Sequence, residues 1–422
     1  MRRGAIITLF GLTLISSAAL TRAAEIRALG GTYDEQITGI REESGRLVVR
    51  TPQRAVPLDQ VKSIRFQPPS TMRQERRAAK VILTTGDAVR AQLQGGDEEN
   101  VALSSQGLGD LRVGLELIRA VIFDATPERE RDLEASLGQP DDIDRVMLKD
   151  GGSARGSVVA LDGTKVVLNT NVRGGSSMGT LQFDVSKVEM VAIAPLDDPP
   201  PPPQGLRVVA WLIDGTALTG KLVGLTGEEL RLIHPLGASA GAGTTTELAL
   251  SLARVEELTI ENGAFVYVSD QQPEEVSQGF PPEYAFEADV WSWKKDRNVT
   301  GGALRLGGRV FAKGLGVHSR CVLTYRLNGV YREFKAVVGL DDSTRYMGEP
   351  GLGAVVFRVL LDGEKAAREY PNGITQRKGQ PPTEISVDVS NAQTITLVAD
   401  YDPTSLHILG RANWADAHLI KR

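Results

Sequence analysis

The feature that most constrains this chain is a degenerate internal repeat in its N-terminal part. An apolar strand, a tight Asp/Gly turn, a strand interrupted by glycine, two short strands and a closing apolar strand recur several times. The clearest copies begin Val146-Met147-Leu148-Lys149-Asp150-Gly151 and Trp211-Leu212-Ile213-Asp214-Gly215, each with a second glycine, Gly156 and Gly220, five residues on. A third copy starts at Val81-Ile82-Leu83-Thr84-Thr85-Gly86-Asp87, and the closing strands read Val61 to Phe66, Ile118 to Phe123, Val188 to Ile193 and Val255 to Ile260. A tight hairpin turn between alternating apolar segments needs residues tolerant of positive φ, so these copies are β meanders. Two closures satisfy the pattern, a small barrel of the SH3 or Sm type, or pairing of the meander with its neighbour into a sandwich.

The connections divide the chain into 1–24, a signal peptide; 25–67, a first module; 77–124, a second; 125–141, a helical linker; 142–195, a third module; 196–205, a proline-rich linker; 206–268, a fourth module; 269–279, a linker; and 280–422, a separate domain. Thr126-Pro127-Glu128 is a helix start, with threonine as cap and proline at the first helical position, and Gly138 and Pro140 end that helix. The run Pro199 to Pro203 reads as a stiff extended spacer.

Met1-Arg2-Arg3, an apolar run from Ala5 to Leu20 and the small residues Ala23-Ala24 have the layout of an export signal, which places the protein in the periplasm, at the cell surface or in the medium. No later stretch is long and apolar enough to span a bilayer, so no stable transmembrane segment is expected after cleavage. A formal net charge of -5 argues against a general phosphate-binding surface and against nucleic acid as a partner. Cys321 is the only cysteine, so no internal disulfide can form; alternation places it on one strand face with Leu323, Tyr325 and Leu327, in a core.

Several motifs resemble catalytic ones without their context. Gly175-Ser176-Ser177-Met178-Gly179 fits the serine-hydrolase elbow, but it lies in a Gly/Ser loop between strands, and Gly237-Ala238-Ser239-Ala240-Gly241 repeats it in the next module. Gly215 to Lys221 approaches a phosphate-binding loop, yet Leu222 stands where a hydroxyl must reach magnesium. His234, His318, His407 and His418 lack metal-site spacing. The chain is therefore expected to be no enzyme and to carry no metal or other cofactor. Asn298-Val299-Thr300 is a glycosylation sequon.

After the last linker the aromatic content rises: 14 of the chain's 22 aromatic residues lie beyond residue 279. Sugars offer apolar C–H faces and polar edges, which aromatic rings flanked by hydrogen-bonding groups can hold. Trp291, Trp293, Tyr346, Tyr401 and Trp414 are the rings available. Alternation assigns Phe334 and Phe357 to a core, and packing is the ordinary fate of Trp291 and Trp414 too. Strands such as Ile395-Thr396-Leu397-Val398, separated by Gly, Pro and Asp clusters, suit a β-sandwich.

Lys313-Gly314-Leu315-Gly316-Val317-His318-Ser319, Tyr331-Arg332-Glu333-Phe334, Val338-Gly339-Leu340-Asp341-Asp342, Val356-Phe357-Arg358-Val359 with Asp362-Gly363, and Trp414-Ala415-Asp416-Ala417 follow one another in an order that resembles the NPCBM family. This is a carbohydrate-binding module found beside glycoside hydrolases of family 98 and in other exported bacterial proteins. The resemblance implies a galactose-binding-like jelly roll and glycan binding. The sequence departs from the family pattern at Asn413, where an aspartate often precedes the tryptophan. Candidate carbohydrate-binding residues are Trp291, Trp293, His318, Asp341, Asp342, Trp414 and Asp416. His318 suits either a sugar hydroxyl or a structural hydrogen bond; Asp341-Asp342 suit either caps on backbone amides or ligands to calcium or a sugar, and nothing further supports calcium.

The expected fold class is thus all-β, tandem small modules followed by a jelly-roll sandwich. The expected function is exported, non-catalytic glycan binding, with the repeats as spacer or assembly scaffold. A second reading is a structural protein of the cell envelope whose partners are proteins, bound by the sandwich or through the repeats. A third, a glycoside hydrolase, needs two carboxylates on a catalytic domain for which the repeats leave no room.

Overall fold

The computed structural model describes residues 22–67, 78–97, 99–138, 142–170, 179–195, 205–239, 246–279, 291–344, 352–363, 365–403 and 408–422. The chain forms two compact units, Met1–Glu261 and Asn262–Arg422. The Gly175 to Met178 part of the first serine motif, the prolines 199–203, Tyr346 and His407 lie outside the described residues.

The first unit contains four modules of one topology. Module four shows it: strands Arg207–Leu212, Ala217–Thr226, Glu229–Ile233 and Glu247–Ser251, a 3-10 turn Leu252–Arg254, and the closing strand Val255–Glu261. The closing strand returns antiparallel to the first, with Val208 opposite Ile260 and Ala210 opposite Leu258. Ile26 with Ile64, Val81 with Val121, and Val146 with Val191 repeat this closure in modules one to three. Every module therefore closes as a small barrel-like ring around apolar side chains.

The Asp/Gly turns are hairpins of a different geometry from the one the dipeptide suggests. Gly86, Gly151 and Gly215 have φ of 88°, 89° and 89°, while Asp150 and Asp214 are absent from the left-handed residues. Gly215 N donates to Leu212 O at 3.0 Å and Leu212 N to Thr216 O at 2.8 Å, the bonding of a three-residue loop ending in a left-handed glycine. The aspartate acts as a cap instead: Asp214 Oδ1 accepts from Thr216 N at 2.9 Å. The second glycine marks a handover. Gly220 pairs with the first strand through Val208, and Lys221 already pairs with the third through Ile233. A Cβ on Gly220 would lie 2.7 Å from Ile233 O, and one on Gly156 2.4 Å from Asn169 O.

Of the two closures open from sequence, the ring is the one formed, and edge-to-edge pairing between modules adds to it. Closing strands pair between modules as well as within them: Leu258 opposite Ile64 joins four to one, and Val121 opposite Val191 joins two to three. Each pairing covers a strand edge that a lone ring would leave open. Modules two and four then meet at Ala88 opposite Ala217. Across that seam Thr219 N donates to Asp87 Oδ1 at 2.8 Å, and Arg90 N donates to Thr216 Oγ1 at 2.9 Å.

The helix Pro127–Ser136 forms where expected, with Thr126 Oγ1 accepting from Arg129 N at 3.3 Å. It is more than a linker. Leu133 packs with Ile82, Ile122 and Met190, and Glu130 takes a bidentate bond from Arg90 at 2.7 and 2.6 Å. Two details of the first unit differ from expectation. The first strand is Arg22–Ala28, and Ala24 is buried opposite Phe66, so a leader ending at residue 24 would remove the start of the ring. The loop holding Ser239 contains a short helical segment, Leu236–Ser239, with Leu236 in the core.

The second unit is a two-sheet sandwich. One sheet runs in the order Lys294–Lys295, Gly314–His318, Arg411–Lys421, Tyr331–Leu340, Thr383–Asp388. The other runs Glu275–Gln278, Cys321–Arg326, Thr394–Tyr401, Ala354–Leu361, Lys365–Ala366. Trp414, Phe334, Phe357 and Tyr325 fill the space between them. The sandwich begins before residue 280: Phe265 pairs with Ile420, and Val276 with Leu323. Segments expected to end module four and to serve as linker are thus edge strands of the sandwich, because the module's last paired strand stops at Glu261.

Among the described residues no helix is long and apolar enough to cross a membrane.

Candidate functional site in the C-terminal sandwich

Strand Gly314–His318 lies beside the long strand Arg411–Lys421, which puts His318 opposite Arg411 at one end of the sheet. The approach there is close: a Cβ on Gly316 would lie 2.2 Å from Arg297 O, so the glycine of the Gly314-Leu315-Gly316 block is required by packing. Trp291 rests against this end. Its ring centroid is 4.9 Å from that of His318, with planes tilted by 32°, and the Arg411 guanidinium lies 4.9 Å from the Trp291 centroid. Gln278 holds the segment in place, its Nε2 donating to Trp291 O at 3.1 Å while its Oε1 accepts from Trp293 N at 3.3 Å. Such a ring, half-buried and flanked by a cation and an imidazole, can stack on the C–H face of a sugar.

His318 is buried, and its Nδ1 donates to Ser319 O at 2.8 Å, which sets the proton on Nδ1 in the neutral ring. Nearby on the second sheet, Asp400 bonds Arg358 and lies 3.9 Å from the exposed Arg320. Tyr401 donates its hydroxyl to Gly279 O. Lys313, at the head of the glycine block, bonds Asp270 at 2.7 Å and Asp296 at 3.1 Å. Burial alone would lower its pKa, but the two carboxylates outweigh that and raise it.

The other candidates divide by role. Trp414 is a core residue, edge-on to Phe357 with centroids 5.0 Å apart. Trp293 packs against the same core from its margin. Asp341 is buried and saturated: it accepts from Asn298 Nδ2 at 3.1 Å, Arg305 N at 3.2 Å, Ser343 N at 3.0 Å and Asn413 Nδ2 at 2.6 Å. The last contact explains Asn413, since an amide donates to Asp341 where an aspartate would oppose it with a second carboxylate. Asp342 caps Gly307 N and Gly308 N at 2.9 and 2.7 Å, which pins the hairpin Leu304–Phe311. Asp416, at φ 50°, sits in an irregularity of the long strand, its carbonyl bonded to His418 Nδ1. Of the candidates the structure therefore brings Trp291 and His318 together, and places Asp341 at the same end through Asp341 N bonded to Arg411 O at 2.9 Å. Sequence reasoning missed Arg411 and Gln278. Alternation could have placed Arg411 at the start of the final strand, but its register opposite His318 is a long-range fact.

The sequon residue Asn298 is buried in the Asp341 network, out of reach of a glycan-transferring enzyme in the folded chain. Burial pushes the Cys321 thiol up to about 12, as befits a core residue.

No curated protein matches this chain. Among solved structures it is similar to the CBM51-2 and INT domains of ZmpB from Clostridium perfringens, with 28% identity over 37% of this chain and 31% of that one, at a TM-score of 0.31. The CBM51 of C. perfringens GH95 in complex with methyl-galactose shows 21% identity over 37% of this chain and 99% of that one, at a TM-score of 0.31. The tandem CBM51 modules of Sp3GH98 from Streptococcus pneumoniae show 13% identity over 82% of this chain and 89% of that one, also at 0.31. The chain spans about a third of the length of two of the ZmpB structures it matches, and about half of a third one. The family comparison is local to the second unit: residues 265–420 match the model described as the NPCBM/NEW2 domain. Its span covers both edge strands, Phe265–Tyr267 and Glu275–Gln278, and all five blocks read from the sequence, so the C-terminal unit carries an NPCBM domain.

Proposed function

We propose that this chain is an exported, non-catalytic glycan-binding protein in which the sandwich binds carbohydrate and the four barrel-like modules serve as scaffold. The observation that carries the reading is the NPCBM/NEW2 match over residues 265–420. Export is supported by the charged start Met1-Arg2-Arg3 and the apolar run from Ala5 to Leu20. The non-catalytic reading is supported by the use the repeats make of residues 22–261, which build four small rings whose buried side chains join in one apolar cluster.

The Trp291, His318 and Arg411 cluster is the binding end in this proposal. Trp291 offers the stacking face, Arg411 orients the ring, and the buried Asp341 network holds the strand ends beneath them. A glycan array probed with the full chain and with a Trp291→Ala variant tests it. Binding to a defined set of glycans, weakened about tenfold or more by Trp291→Ala with melting unchanged, is the expected result. Trp414→Ala is a folding control, because removing a buried core tryptophan costs about 3–5 kcal/mol and abolishes binding through loss of the fold. A folded full chain that binds no glycan would transfer the function to protein assembly in the cell envelope. Release of sugar from a polysaccharide would overturn the non-catalytic reading.

A further inference from the structure

The first unit contains a cleft of about 710 Å³, a volume ordinary for a small-molecule site. Its floor is the outer face of two equivalent hairpins, those of modules two and four, joined at Ala88 opposite Ala217. Ile82 and Ala88 come from one hairpin, Val209, Trp211 and Ala217 from the other, and the end of the helix Pro127–Ser136 stands beside them through Glu134 and Leu137.

Trp211 is the unusual member. Ala210 and Leu212 on either side of it are buried, so alternation turns its ring out of the core, where it is 45% exposed. Of the chain's other tryptophans, Trp414 lies in the sandwich core, Trp293 packs against it, and Trp291 is half-buried beside His318 and Arg411. A tryptophan left this open beside a concave surface is informative where scattered small apolar residues are not. The turn glycines Gly86 and Gly215 also line the cleft and put no side chain over it.

The charges around the ring balance. Lys80, Arg90 and Arg119 line the cleft together with Asp87, Glu134 and Glu261. They are tied into pairs: Arg90 with Glu130, Lys80 with Glu134, and Glu261 with Arg207 at 3.0 Å. Arg119 bonds Ile193 O and Leu137 O. Such groups offer directional donors and acceptors but no surplus of either sign, so a phosphate or a cationic peptide gains little there. A neutral ligand with one apolar face and a rim of hydroxyls is what matches a flat ring edged by paired polar groups.

We propose that this cleft is a carbohydrate-binding site of its own, taking a neutral pyranose or short oligosaccharide with its C–H face on Trp211 and its hydroxyls toward Arg90, Glu134 and Glu261. It is separate from the C-terminal site and does not depend on that reading. Because Trp211 is the first unit's one tryptophan, its response can be followed by itself.

The full chain labelled with 5-fluorotryptophan gives a resonance for each tryptophan, and Trp211→Phe identifies the one in question. Titration with cellotetraose, mannotetraose and laminaritetraose is expected to move the Trp211 resonance saturably for at least one of them. Trp211→Ala, followed by calorimetry with that sugar, is expected to lower the affinity of this site about tenfold or more, and Glu261→Gln to lower it less, with melting of both variants unchanged. A Trp211 resonance unmoved by all three sugars up to about 10 mM would overturn the proposal. So would a response confined to heparin or to a charged peptide. Movement of Trp291 alone would leave the C-terminal site standing and remove this one.

Discussion

Asp87 and His234 lie far apart in sequence and share a hydrogen bond of 3.0 Å in the interior of the first unit, 6% and 1% exposed. His234 Nδ1 accepts from Leu236 N at 3.1 Å, so Nε2 carries the proton toward Asp87. Burial raises the Asp87 pKa, but hydrogen bonds from His234, Thr85 and Thr219 outweigh it and hold the carboxyl below its usual range. A folded-state value below the unfolded one stabilises the unit above the unfolded pKa of about 4, and that contribution is lost as pH falls through the folded value. Asp87→Asn is expected to cost about 1–3 kcal/mol at pH 7 and to flatten the acid limb of stability against pH, read by urea melts of the full chain. An acid limb unchanged in the variant would show that the carboxylate contributes nothing. None of this was legible beforehand, since a lone histidine in a hairpin and an aspartate after a turn glycine carry no mark of their partner. Cys321, Phe334 and Phe357 were legible as core, because alternation alone decides which way a strand residue points.

The elements were readable wherever the signal was local. The turn glycines, the helix start at Thr126-Pro127 and the alternating closing strands all rest on contacts within a few residues. The bend in the long second strand was visible as a glycine, but its reason was not. The third strand's carbonyl occupies the place of a Cβ at Gly156 and Gly220. Gly220→Ala is accordingly expected to destabilise the first unit by about 1–3 kcal/mol, whereas an alanine is already native at Ala91, where module two crosses the same corner. Thermal melts of Gly220→Ala beside wild type decide this; equal midpoints would mean that the strand can shift without cost. In the site, Trp291 and His318 were named from their residue types and the family blocks, while Gln278 and Arg411 came only with the strand register that sets them beside Trp291.

At the scale of the whole molecule the two units answer to different rules. The first is a set of rings whose closing strands pair one with four and two with three. The second is a sandwich that recruits Phe265–Tyr267 from what reads as the end of module four and Glu275–Gln278 from what reads as a linker. A fragment 262–422 is therefore expected to melt higher than a fragment 280–422, which lacks both edge strands; equal midpoints would show that those strands add nothing. By itself the sequence determined the all-β class, the repeat, the division into modules and sandwich, and the family of the C-terminal unit, because each is written in local periodicity, turn chemistry or ordered blocks. Tertiary structure alone decided which strands pair between modules, where the sandwich begins, that Trp414 and Asp341 hold the fold together, and that a cleft lies beside Trp211. The reason is physical: hairpin turns and alternation act over a few residues, whereas strand register and burial depend on partners brought from distant parts of the chain.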